Sequence, residues 1–172
     1  MKENYTIERT CSNCGKKERI SVSKREAAFE LVDIHEVVGK RCKNCSSSIF
    51  STSYQTPDLD FELLKEWATN PDLYLMPQDE ELLLADEKYL ENILCILDTV
   101  SISDQKRNLL LDALCIIVYD NTVEDNPQKD ANLRERVIRE LNKRTDILKQ
   151  ADDWIMNYVK EVVYPQLELD EK

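Results

Sequence analysis

Cys11, Cys14, Cys42 and Cys45 stand as two C-x2-C pairs with 27 residues between them. Two intervening residues let both sulfurs of a tight knuckle face one point, and a second knuckle supplies the opposite pair. This is the donor set of a tetrahedral thiolate site. The pattern predicts one Zn2+ held by four sulfurs. All four positions are filled by protein, so none is left to activate water and the metal is expected to be structural. The competing chemistry is a pair of disulfides in a small exported module. The opening run Met1-Lys2-Glu3-Asn4-Tyr5 has no apolar stretch of the kind an export signal needs, so the expectation is a reduced, cytoplasmic protein. Cys95 and Cys115 lie in apolar runs and are expected as buried thiols.

Other chemistry is sparse. His35 is the only histidine, in Asp33-Ile34-His35-Glu36, and no further histidine or placed cysteine is available to build a second site around it. It is expected as an exposed polar residue, with a role as base or second-metal ligand in a metal-supported enzyme kept as the reserve reading. No G-x-S-x-G, phosphate loop, dinucleotide fingerprint or H-E-x-x-H occurs. Carboxylate pairs such as Glu80-Glu81 and Asp152-Asp153 fall at predicted helix starts, where the helix dipole explains them. No catalytic residue is assigned, and the reading argues against an enzyme.

The elements around the knuckles follow from local patterning. Alternation over Tyr5-Thr6-Ile7 and over 19–23 predicts a hairpin presenting Cys11 and Cys14, and 48–54 predicts a returning strand after the second knuckle. Between the knuckles, Ala27, Ala28, Leu31 and Val32 at helical spacing predict a helix over 24–34, with Ser23 and Glu26 as a capping box. Such a ribbon with a helical insert resembles the zinc-ribbon group and, within it, the CpXC-type bacterial modules, over residues 5–56. The resemblance implies zinc at the four named cysteines and leaves function open, because that group serves many partners.

Beyond Pro57 the pattern becomes helical. Asp58 is expected to cap a helix over 59–69, and apolar 73–77 to pack as an extended piece. Apolar stripes predict helices over 86–100 and 103–119, joined by a short turn and capped at Ser103. A polar turn over 120–129 follows. Positions 133, 137, 141, 144, 148, 151, 155, 159 and 162 recur near the helical period, all apolar except Arg144. They predict one helix over 130–164, with a break near 142–146 as the second choice. Glycine agrees: the only two, Gly15 and Gly39, flank the knuckles. The fold class is therefore α+β, a small four-cysteine zinc ribbon with an inserted helix over 1–56 followed by an all-α helical bundle over 57–172.

Charge divides the chain in the same place. Residues 1–57 carry ten Lys/Arg against seven Asp/Glu, whereas 58–172 carry thirteen against twenty-seven, within a net charge of −11. No apolar run is long enough for a membrane span. The acidic part predicts a basic protein partner, met by a face including Glu80, Glu81, Asp152 and Asp153, as in an adaptor or an immunity protein. The alternative is a nucleic-acid-binding regulator using Lys16, Lys17, Arg19, Lys40, Arg41 and Lys43 around the knuckles.

Overall fold

In a computed structural model of the chain, residues 4–75, 79–122 and 130–159 are described. The fold is mixed, with a three-stranded antiparallel sheet first and helices after it. Two compact units result, Met1–Leu63 with Leu73–Gln78, and Leu64–Asp72 with Asp79–Lys172.

In the first unit, β1 (Asn4–Cys11) is the central strand, flanked by β2 (Lys17–Ser23) and β3 (Phe50–Tyr54), in the order β2-β1-β3. Ile7 pairs with Ile20 on one side and Tyr54 on the other. Period-two alternation puts Ile7 and Cys11 on the inner face of β1, where Ile7 joins Val22, Ala27 and Ile34 in a small core. The predicted hairpin and returning strand are both present. The capping box also forms: Ser23 and Glu26 bond each other's backbone N–H at the start of α1 (Lys24–Ala28).

The insert departs from the predicted helix over 24–34. Helix α1 stops at Ala28, because Glu30 takes a left-handed φ of 49° and the N–H of Leu31 returns to the carbonyl of Glu26 at 3.1 Å. This is a Schellman-type stop with glutamate where glycine is usual, and the Glu30 side chain is anchored by a hydrogen bond with Tyr54. A second helix, α2 (Ile34–Val38), starts at Asp33, whose carboxylate accepts from the N–H of His35, and ends at Gly39 with φ 97°. The insert is thus two short helices, and Gly39 hands the chain to the second knuckle.

Helix α3 (Phe61–Thr69) begins two residues after its expected start, and Asp60 accepts from the N–H of Leu63 at its first turn. The residues assigned to the second unit begin within this helix, at Leu64. Leu73 and Leu75 are buried, as expected of the extended piece; Met76 and Pro77 lie outside the described residues.

The second unit is built around α6 (Asp104–Asp120), capped by Ser103 through the N–H of Lys106. Helices α4 (Glu80–Leu84), α5 (Leu90–Thr99), α7 (Ala131–Asn142) and α9 (Asp153–Tyr158) all pack against it. Being surrounded explains why α6 is apolar on nearly every side, and each fully buried Leu or Ile contributes about 1.5–3 kcal/mol. A 3-10 turn, Glu87–Tyr89, precedes α5. Cys115 is buried as expected, but Cys95 is exposed.

Of the two readings of 130–164, the single helix is not what forms and the break near 142–146 is. Helix α7 ends before Arg144, the one charged position on the apolar stripe, and α8 (Thr145–Leu148) and α9 follow as separate segments. Arg144 makes paired bonds of 2.7 and 2.6 Å to Asp98 on α5 and a third of 2.8 Å to Glu140, and this clamp occupies the point where the helix breaks. The predicted stop at Pro165, and 123–129 of the polar turn, lie outside the described residues.

Candidate metal centre

The two knuckles have one backbone design. In the first, the N–H of Gly15 returns to the carbonyl of Cys11 at 2.9 Å, and the N–H of Cys11 donates to the carbonyl of Lys16 at 2.9 Å. In the second, the N–H of Ser46 returns to Cys42 at 2.8 Å and the N–H of Cys42 donates to Ser47 at 2.8 Å. The residue after each second cysteine must turn left-handed, which Gly15 does at φ 69° and Ser46 at φ 60°. Cys11 ends β1 while Ser12 donates to the carbonyl of Ile49, so the first knuckle is tied to the residue entering β3.

This pairing brings the four sulfurs within 4.8 Å of one another, with Cys11 to Cys45 and Cys14 to Cys42 both at 3.6 Å. A disulfide would need about 2.05 Å, and all six cysteines are free thiols. Four sulfurs about 2.3 Å from a central ion form a tetrahedron with edges of about 3.8 Å, so the spacing fits one metal ion. Cys11 and Cys42 are buried, Cys45 is half-buried and Cys14 faces solvent.

Fixed dipoles favour thiolates. The Asn44 side chain reaches across from the second knuckle to hydrogen-bond the sulfur of Cys14, and with the N–H of Lys16 it pulls that thiol down to about 6. Burial opposes ionisation of Cys11, but the N–H groups of Cys14 and Asn13 outweigh it and hold the thiol below its usual range. At Cys42 the N–H groups of Asn44 and Cys45 favour the thiolate. Burial and the neighbouring sulfurs of Cys14 and Cys11 overcome them, leaving that thiol above its usual range.

Comparison with protein-family models, curated proteins and solved structures finds no match. The site therefore stands on its own geometry.

Beside it lies a residue that motif reasoning missed. Arg9 is fully buried; its Nε and Nη2 bond Glu18, and its Nη1 donates to the carbonyl of Gly39 at 2.6 Å and to Nδ1 of His35 at 2.9 Å. Its guanidinium also lies 4.2 Å over the Phe50 ring. One side chain thus joins all three strands to α2 and to the residue leading into the second knuckle. His35 is half-buried against Phe50 and engaged by Arg9, not a free polar residue. The signal was strand periodicity, since Arg9 shares a face with Ile7 and Cys11 once β1 is extended to its full length.

The other candidate residues are dispersed. Lys16, Lys17, Arg19, Lys40, Arg41 and Lys43 are all exposed. Lys17 and Arg19 both pair with Glu8, however, and Arg41 reaches the carbonyl of Ser46 at 3.5 Å. Asp152 and Asp153 are exposed and Glu81 is half-buried. Glu80 is a correction: at 4% exposure it cannot serve an exposed acidic face. Its carboxylate accepts from Nε1 of Trp67 at 2.8 Å and lies 3.7 Å from Nζ of Lys106, itself 1% exposed and 4.2 Å over the Trp67 ring. Burial lowers the Lys106 pKa while Glu80 opposes that shift.

Proposed function

We propose that this chain is a zinc-binding protein-interaction module, in which Cys11, Cys14, Cys42 and Cys45 form the closed site of a zinc ribbon and the acidic helical part binds a basic protein. The observation that carries the metal half is the four-sulfur cluster with matched knuckles. Thiolate softness and tetrahedral spacing select zinc over hard cations, and a set with no open position is structural. Zinc joins segments that are far apart in sequence, and its binding energy adds to folding energy.

The interaction half rests on charge. An excess of fourteen acidic residues over basic ones in 58–172 attracts cationic surfaces and repels phosphate. Zinc with four thiolates contributes −2, so the N-terminal part is nearly neutral once loaded. Lys17 and Arg19, shared with Glu8, are poorer phosphate contacts than free cations. An adaptor or an immunity-type protein against a basic toxin fits this balance.

Purification from source cells with and without nuclease treatment tests the reading. A salt-sensitive basic protein retained after nuclease supports it. Nanomolar affinity for duplex DNA, single-stranded DNA or structured RNA, lost in a Lys16→Glu, Lys17→Glu, Arg19→Glu variant, would replace it with the regulator.

A further inference from the structure

The six free thiols differ in what surrounds them. Cys115 is buried in α6, and Cys95 is exposed on α5 with its sulfur 3.8 Å from Oγ1 of Thr99. The other four make up the cluster, and within it exposure is unequal. Cys11 and Cys42 are buried at 1% and 2% exposure, Cys45 is half-buried, and Cys14 faces solvent. An oxidant arriving from water therefore meets the sulfur of Cys14 first.

Distance decides which thiol answers. Sγ of Cys42 lies 3.6 Å from Sγ of Cys14, and Sγ of Cys45 lies 3.6 Å from Sγ of Cys11. Each pair takes one sulfur from each knuckle, and closing 3.6 Å to a disulfide requires a movement of about 1.5 Å. Ser12, Asn13 and Gly15 beside Cys14, and Lys43 and Asn44 beside Cys42, are all exposed, so that approach compresses no packed core. A thiolate serving as a metal ligand is already deprotonated, which is the form that reacts.

We propose that the cluster is a peroxide-responsive switch, in which Cys14 is the residue oxidised and Cys42 the residue that resolves it. This rests on the reading of the four cysteines as a zinc site, and it names how that site is regulated. The Cys14 thiolate attacks one oxygen of hydrogen peroxide, the O–O bond breaks and hydroxide leaves, giving a sulfenic acid on Cys14. The Cys42 thiolate then attacks that sulfur and expels a second hydroxide, forming the Cys14–Cys42 disulfide. Two electrons pass from the two sulfurs to peroxide. The donor set falls to Cys11 and Cys45, too few to hold zinc against a chelator. Because the new bond links the two knuckles, the oxidised chain keeps Cys14 and Cys42 joined, and a dithiol reductant restores the four-sulfur set.

The test treats the zinc-loaded full chain with hydrogen peroxide, follows zinc release with a chromogenic chelator against an untreated sample, and maps the thiols by alkylation and peptide mass spectrometry. Loss of one equivalent of zinc is expected in step with one Cys14–Cys42 disulfide, and one equivalent should return on adding dithiothreitol and zinc. Dimedone present during oxidation should label Cys14. Cys95→Ser should release zinc as wild type does, because the response does not use that exposed thiol. Zinc retained under peroxide, release without the Cys14–Cys42 bond, dimedone on Cys11 or Cys42 instead of Cys14, or a response lost in Cys95→Ser would overturn the switch and leave the zinc reading standing. A chain that carries no stoichiometric zinc before the oxidant is added would overturn the zinc reading, and the switch with it.

Discussion

Nη1 of Arg9 lies 2.9 Å from Nδ1 of His35. A guanidinium can only donate, so Nδ1 accepts and the histidine proton resides on Nε2. Long-range 1H–15N spectra should therefore show the Nε2–H tautomer, and Arg9→Lys should release it into exchange between tautomers. Persistence of one tautomer in that variant would mean that another contact holds the ring.

Arg9 itself is expected to be the most sensitive non-cysteine position near the site. Arg9→Ala strands the Glu18 carboxylate and the Gly39 carbonyl, and losing one partner of a buried charge pair costs about 3–5 kcal/mol. Zinc release to a chromogenic chelator under increasing urea should occur at lower urea than in wild type. An unchanged midpoint would show that the network contributes nothing to the stability of the first unit.

One equivalent of zinc per chain is the expected result of elemental analysis on protein purified without chelator. Cys42→Ser should abolish stoichiometric zinc while leaving the far-ultraviolet helix signal largely in place, because the helices of the second unit are packed on α6. Collapse of the helical signal would show that the two units fold as one.

The matched knuckles predict substitutions of opposite sign. Gly15→Ala meets no atom within 4 Å, so its cost comes from the left-handed backbone alone, about 1 kcal/mol. Ser46→Gly relieves the same strain in the second knuckle and should stabilise by about 1 kcal/mol or less. Chelator competition on both variants, ranked against wild type, checks the order; reversal would show that the knuckles are not equivalent.

Burial, followed by the Glu81 charge, raises the Asp112 carboxyl from its unfolded value near 3.8 to about 6. A raised carboxyl binds its proton more tightly when folded, so its contribution is fully present below the unfolded pKa and is lost as pH rises through the folded one. Relative to Asp112→Asn, the wild type should therefore lose stability between about pH 4 and pH 7, by about 1 kcal/mol once solvent screening is allowed for. Urea unfolding of both proteins at several pH values would show the two converging at the acid end; a constant gap would rule out Asp112 as the cause.

Much of the four-cysteine cluster was legible because its determinants are local. Two C-x2-C spacings, a glycine at the first knuckle, the Ser23–Glu26 box and the Ser103 cap each depend on residues within a turn of one another. Other features were illegible because the same residue type serves opposite ends. Glu80 reads as one more acid at a helix start until Trp67 and Lys106 are brought beside it by packing. The break at Arg144 was legible only as a second choice: the stripe predicts continuity, and the helix end that wins is stabilised by Asp98, forty-six residues away.

By itself, then, the sequence determined the donor set, the antiparallel strands around it, the helical character of the remainder and the separation of charge. Each follows from spacing, periodicity or composition. Tertiary structure alone decided that Arg9 would be the hub beside the knuckles, that Asn44 would reach the sulfur of Cys14, and that Glu80 would be buried against Trp67 and Lys106. These properties belong to pairs of distant residues, and the energy of a buried charge depends on what folding places next to it.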